Sequence, residues 1–295
     1  VLMPAPLAHV SGLLHGVLLP GAAGMRTVLM DRWDPAGALD LIEAEGVTYM
    51  VGPPTFFLGL MDAPGFTPAR TTSLRLLSCG GTEVTPEFVE RAGRELGTVV
   101  KRSYGSTEAP TVATSRFDDP PDRMATTDGR ALGGTELRIG VDGEVWVRGP
   151  EVASGYLDPD QTAASFVDGW FRTGDLGSVD DDGYVTITGR AKELIISGGL
   201  NVFPAEVDEA LAAHPAVAEV AVAGSVSEEW GEEVVAFVVA VEGLSCPTID
   251  ELREFAGDRL APHKLPRRML CIDALPRNSL GKVLRHELRE ALCDD

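Results

Sequence analysis

The stretch Gly189-Arg190-Ala191-Lys192-Glu193-Leu194-Ile195-Ile196-Ser197-Gly198-Gly199-Leu200-Asn201-Val202-Phe203-Pro204-Ala205-Glu206-Val207 divides the chain. Gly189 gives the backbone freedom, and Arg190 carries a planar fork of donors. Residues 193–197 read as a strand. Gly198-Gly199 is a turn that another group can approach closely, and Pro204 opens a helix. By themselves these residues also fit a strand, a glycine turn and a helix with no chemistry. The position of the stretch is what decides, because the texture of the sequence differs on its two sides.

Upstream, Asp34-Pro35 is an N-cap and first-turn proline, followed by an apolar face of Leu39, Leu41, Ile42 and Ala44. Strands are expected over 47–51, 74–78 and 99–103, and helices over 55–61 and 85–96. This alternation predicts a parallel sheet with helices on its faces. Over 126–189, short β runs at 136–139, 144–148 and 184–188 are separated by Asp142-Gly143 and Asp182-Gly183. That pattern predicts a small antiparallel barrel or meander. Downstream lie strands over 193–197, 217–223 and 234–241. Helices are expected after Pro204, after Thr248 with Glu251 as capping-box partner, and from 283 onward. The expected fold is α/β. Residues 1–125 form part of a large domain, 126–189 a small β-barrel, and 190–295 a mobile α+β domain with its hinge near Lys192.

The 295 residues and 44% hydrophobic content suit about two globular domains. The net charge of −20 argues against nucleic acid or an anionic membrane as partner. It also means that a phosphate ligand must be held by local devices. Cys79, Cys246, Cys271 and Cys293 show neither metal-ligand spacing nor a disulfide framework, so a reducing cytoplasm is expected. No apolar run reaches the ~20 residues of a membrane helix. The apolar start, Val1 to Met25, is broken by prolines and histidines and lacks a basic leader, which disfavours a signal peptide.

Three more stretches carry candidate chemistry. Tyr104-Gly105-Ser106-Thr107-Glu108 follows a strand with a tight turn, hydroxyls and main-chain N–H groups that suit a phosphate, and Glu108 is a carboxylate suited to Mg²⁺. A capped strand–turn–helix junction would look the same. Thr173-Gly174-Asp175-Leu176 offers a carboxylate for vicinal ribose hydroxyls, or a β-turn whose Asp bonds its own backbone. Leu275-Pro276-Arg277-Asn278-Ser279-Leu280-Gly281-Lys282-Val283 holds one lysine on a glycine turn, which also fits a solvated surface lysine.

In identity, order and spacing the four stretches resemble the adenylate-forming superfamily of acyl-CoA synthetases, luciferases and nonribosomal adenylation domains. The resemblance covers essentially the whole chain. With Pro6-Leu7-Ala8-His9-Val10-Ser11-Gly12 and Leu77-Ser78-Cys79-Gly80-Gly81-Thr82, it is nearest to bacterial short- and medium-chain acyl-CoA synthetases and cyclohexanecarboxylate–CoA ligases.

The resemblance implies two half-reactions: a carboxylate attacks Mg-ATP to give acyl-adenylate and pyrophosphate, and the thiol of coenzyme A then expels AMP. It implies Lys282 as the cation of the first step. Thr107 and its neighbours Gly105 and Ser106 would hold phosphate, with Mg²⁺ at Glu108. Asp175 would take the ribose hydroxyls, assisted by Arg190, with Asn201 also at the nucleotide. Gly80, Gly81 and Thr82 would edge the adenine and acyl pocket, and Tyr104 would pack by the base. His9 falls at the acyl pocket, or in a core or capping role. Gly198 and Gly199 would line the pantetheine tunnel after a swing about Lys192. Cys79 and the aliphatics beside it suggest an uncharged pocket wall.

The family's phosphate-binding loop, rich in Ser, Thr and Gly with a lysine, is absent from this sequence. A fragment, one half of a split enzyme complemented by another chain, or a non-adenylating remnant would each account for that. The substrates implied are a short- or medium-chain or alicyclic carboxylic acid, ATP and coenzyme A. A carrier-protein thiol is the alternative acceptor.

Overall fold

A computed structural model describes residues 1–82, 84–278 and 281–292. Ser279 and Leu280 of the Lys282 loop, and Cys293, lie outside the described residues. The chain divides into two compact units, one of residues 1–173 and 177–187, the other of 174–176 and 188–295.

The first unit contains a seven-stranded sheet in the order Val28–Leu29, Leu2–Met3, Tyr49–Gly52, Leu76–Gly80, Val99–Tyr104, Ala113–Thr114 and Arg130–Ala131. The first five strands run parallel, and the last two join antiparallel. Helices Pro35–Glu45, Pro54–Met61 and Pro86–Leu96 each begin on a proline, whose missing N–H costs nothing in a first turn. The Asp34 carboxylate accepts from Gly37 N, and the Thr85 hydroxyl from Phe88 N, so each supplies an N-cap.

Strand alternation splits this sheet into two faces. Met50, Leu77, Cys79 and Val100 point into a core with Leu39, Ile42, Phe57, Leu60, Ala92 and Leu96. Arg102 shares that face and pairs with Asp128 at 3.0 Å, both side chains nearly buried. The opposite face carries Tyr49, Ser78 and Ser103. It is reached by the helical run Val10–Leu13, Leu14–Leu18 and Leu19–Ala23, whose middle part is a π-helix. This run exposes Leu13, Val17 and Leu18.

A second sheet runs Phe166–Val167, Trp170–Val179, Glu144–Arg148, Glu136–Ile139, with Val185–Arg190 paired to Trp170–Val179. Helices Pro121–Thr126 and Pro159–Ser165 flank its strands in sequence.

The second unit has a five-stranded sheet in the order Leu200–Val202, Ile195–Ser197, Gly231–Ala240 and Val217–Ser227, with Arg268–Cys271 parallel to Gly231–Ala240. Alternation again makes two cores: Val234, Ala236 and Val238 pack with Val207, Leu211 and Leu252, while Val235 and Phe237 pack with Leu275 and Leu288. Thr248 and Glu251 form the expected capping box of helix Ile249–Ala256. The last helix spans Arg285–Ala291.

One expectation is corrected here. Cys246 and Cys271 are joined by a disulfide. Cys271 ends the strand beside Gly231–Ala240, and Cys246 lies in the loop before Thr248, so the sheet brings together residues whose sequence spacing has no framework pattern.

Candidate functional site

In the first unit, the candidate residues gather at the carboxyl ends of two adjacent parallel strands. Gly80 pairs with Ser103, so the loops leaving Leu76–Gly80 and Val99–Tyr104 start side by side. Open α/β sheets bind ligands at this kind of edge. Both glycines are required by space: a Cβ on Gly80 would lie 2.2 Å from Ser103 O, and one on Gly105 2.4 Å from Pro110 O. Gly81 has φ of 81° and, like Thr82, is exposed.

The Tyr104–Glu108 loop does not start a helix. Ser106 N donates to Ala109 O at 2.9 Å, Val112 N to Tyr104 O at 2.8 Å, and the chain returns as the antiparallel strand Ala113–Thr114. The junction is therefore strand–turn–strand, and its anion-binding capacity rests on loop N–H groups and hydroxyls rather than a helix dipole. Thr107 is exposed at the tip. Glu108 accepts from the Tyr156 hydroxyl at 2.7 Å, and its carbonyl accepts from Ala153 N. No cluster of three or more metal-ligating side chains occurs among the described residues. A single carboxylate suits Mg²⁺ that arrives with phosphate oxygens and water as its other ligands.

His9 is the N-cap of Val10–Leu13: its Nδ1 accepts from Ser11 N at 3.2 Å and lies 2.8 Å from Ser11 Oγ. Burial lowers its pKa below the ordinary histidine value. The capping role is what the geometry displays.

In the second unit, Asp175, Arg190 and Lys282 come together from three distant parts of the sequence. Arg190 Nε donates to Asp175 Oδ1 at 2.9 Å, and the Asp175 side chain is only 6% exposed. Ala191 N donates to Gly174 O, tying the two segments by their main chains. Lys282 rides a turn closed by Asn278 N to Lys282 O and Lys282 N to Asn278 Oδ1, both at 3.0 Å, with Gly281 at φ 79°. Its pKa is lowered by burial first and by the nearby Arg190 next, against the opposing pull of Glu193 and Asp175. Burial and the guanidinium together outweigh the two carboxylates, so an anionic ligand would favour the charged form of Lys282.

Gly198 and Gly199, at φ 59° and 76°, form the two-residue turn between Ile195–Ser197 and Leu200–Val202. Both central residues at positive φ is the hairpin geometry that glycine permits. Gly198 N donates to Trp230 O at 2.8 Å, and Arg267 stacks on the Trp230 ring at 3.7 Å. Asn201 is exposed on the second hairpin strand, opposite Ile196. Lys192 is exposed, and its carbonyl accepts from Arg289.

Sequence reasoning missed three features. Ser78 and Ser103, not Cys79, occupy the open sheet face; strand parity was the available signal. Tyr156 as partner of Glu108 had none, because the pair is joined only by tertiary folding. Arg285 and Arg289 on the last helix also went unnoticed. Arg285 bridges Asp208 and Glu193, and Arg289 holds the main chain at 192–193.

Residues 1–157 match the AMP-binding enzyme family and residues 206–282 the AMP-binding enzyme C-terminal domain. The 3-[(3aS,4S,7aS)-7a-methyl-1,5-dioxo-octahydro-1H-inden-4-yl]propanoyl:CoA ligase of Rhodococcus jostii is 43% identical over 288 residues, covering 97% of this chain and 56% of that protein. The medium-chain fatty-acid–CoA ligase of Escherichia coli is 36% identical over 302 residues, covering 98% and 53%. The ATP-bound crystal structure of MatB from Rhodopseudomonas palustris superposes with a TM-score of 0.92 at 32% identity, covering 99% of this chain and 60% of that one. The chain thus spans a little over half the length of the relatives it matches. The two family matches, one on each side of the stretch at Gly189, show that this chain belongs to the AMP-binding enzyme family.

Proposed function

We propose that this chain carries the adenylate-handling and thioester-forming part of an AMP-forming acyl-CoA synthetase. The observation that carries the reading is the convergence of Lys282 on the Asp175–Arg190 pair. In the first half-reaction a carboxylate oxygen attacks the α-phosphorus of ATP, the bond to the β-phosphate oxygen breaks, and pyrophosphate leaves. Two anions approach each other, so a cation placed beforehand lowers the barrier. Lys282 fills that role, and its partial burial strengthens each interaction it makes.

Asp175 receives the ribose hydroxyls as Arg190 turns from the carboxylate toward the nucleotide. The loop 105–107 receives phosphate oxygens through N–H and hydroxyl groups. Glu108 contributes one oxygen to the Mg²⁺ that enters with ATP. In the second half-reaction the thiol of coenzyme A adds to the acyl carbonyl and AMP leaves. The hairpin turn at Gly198-Gly199 has no side chains to obstruct a pantetheine arm, and Lys192 is the pivot between the two steps. The substrate is a short- or medium-chain or alicyclic carboxylic acid, a range that includes the acids named for the two relatives.

The test supplies the purified chain with hexanoyl-adenylate and coenzyme A, and in parallel with hexanoate, Mg-ATP and coenzyme A. Hexanoyl-CoA is read by mass spectrometry. Thioester from the adenylate is the expected result. A folded chain that makes no thioester and shows no binding of hexanoyl-adenylate by calorimetry refutes the reading.

A further inference from the structure

The open face of the parallel sheet holds a row of polar side chains that the adenylate chemistry does not use. His15 Nδ1 lies 2.9 Å from the Tyr49 hydroxyl. Ser78 lies on the same face of the neighbouring strand. Ser78 Oγ lies 2.8 Å from Ser103 Oγ, and Ser103 Oγ 2.9 Å from Thr114 Oγ1. Thr114 Oγ1 donates to the carbonyl of Arg102 at 2.8 Å. The row begins in the π-helical turn Leu14–Leu18, a conformation concentrated at functional sites, and crosses four neighbouring strands. Its Ser103 end immediately precedes Tyr104 and sits opposite Gly80, at the strand ends that lead into the nucleotide loops.

The row has a direction. A carbonyl only accepts, so the single Thr114 proton is committed to Arg102 O. Thr114 must then accept from Ser103, and Ser103 from Ser78. The protons of Thr114, Ser103 and Ser78 are thereby used, while each of these oxygens keeps at least one lone pair. A row that ends on a carbonyl cannot relay a proton onward. What it offers a ligand is a line of acceptors.

We propose that this row is the far wall of the acyl subsite and selects carboxylic acids that bear a hydroxyl or N–H donor over unsubstituted alkanoates. This rests on the adenylate reading above and adds the substrate class to it. A saturated chain laid against the row would strip water from the Tyr49, Ser78 and Ser103 oxygens without replacing it, whereas a donor on the acid satisfies them. A keto oxygen brings a second acceptor to a wall of acceptors and gains nothing. Sites built to hydrogen-bond a substrate group reject the analogue that lacks it.

The experiment measures binding of acyl-sulfamoyl-adenosines, which cannot react, to the purified chain by calorimetry. The acyl groups are hexanoyl, the 3-, 4-, 5- and 6-hydroxyhexanoyls, and 5-oxohexanoyl. At least one hydroxy compound should bind about tenfold tighter than hexanoyl, and the oxo compound should not. Ser103→Ala should collapse that ratio toward one. Equal binding of the hydroxy and unsubstituted compounds, or a preference for the oxo compound, overturns the proposal and leaves the adenylate reading standing. Failure of every compound to bind overturns both.

Discussion

Arg289, on the last helix, donates from Nη1 to the carbonyl oxygen of Lys192 across 2.9 Å and from Nη2 to that of Glu193 across 3.3 Å. The same main chain turns sharply just before, where Glu193 N and Leu194 N both donate to Arg190 O. One guanidinium therefore ties two successive carbonyls to the body of the second unit. Arg289→Ala should speed amide exchange over residues 191–195 about tenfold, the equivalent of ~1.4 kcal/mol, and leave the remaining amides of the unit unchanged. Exchange mass spectrometry that shows no local change would contradict the tie.

Lys282→Ala should reduce acyl-adenylate formation by about two to three orders of magnitude, as loss of a placed transition-state donor does. Thioester formation from a supplied adenylate should persist, since the second step expels AMP without bringing two anions together. Comparable losses in both half-reactions would show that Lys282 does not divide them.

His15 links stability of the first unit to pH. Burial lowers its pKa below 6.5, so the folded chain holds the neutral ring at pH values where the unfolded chain is already protonated. Stability from this group is fully present above ~6.5 and is lost as pH falls through the folded value. Urea unfolding should show stability declining below about pH 6.5, and His15→Gln should flatten the decline. An unchanged slope in the variant would remove His15 from the account.

Reducing the Cys246–Cys271 disulfide should destabilise the second unit. The bridge closes a loop over a sequence separation of 25, and the chain-entropy model gives ~3 kcal/mol for loops of this order. Thermal unfolding with and without dithiothreitol reads the effect, and Cys246→Ser should reproduce the reduced value while becoming insensitive to the reagent. Equal stability in both conditions would mean that the bridge adds nothing.

The longer elements were legible in the sequence because caps, prolines and periodicity agree there. Asp34-Pro35 and Thr85-Pro86 start helices where expected, and the Thr248–Glu251 box forms as its spacing requires. Strands of two residues, such as Leu2–Met3 and Ala113–Thr114, carry no period to detect and exist only through their neighbours. The hairpin after Tyr104 was read as a possible helix start because a capped junction and a tight return share the same residues. The Lys282–Arg190–Asp175 convergence was anticipated only through family resemblance. Nothing local to any of the three residues announces the other two. The disulfide escaped for the same reason: pairing of Cys271 follows from strand order, which composition does not encode.

Leu77, Cys79 and Val100 hold the first unit together from one side of their strands, while Ser78 and Ser103 stand on the other. Adjacent positions along one strand thus answer to different demands. On the role proposed for the open face, substitutions at Ser78 and Ser103 would change the wall the acid meets while the packed side, one residue away, is undisturbed. Such an arrangement would let acid preference diverge among descendants of one scaffold, and it marks out a short, addressable set of positions for directed evolution.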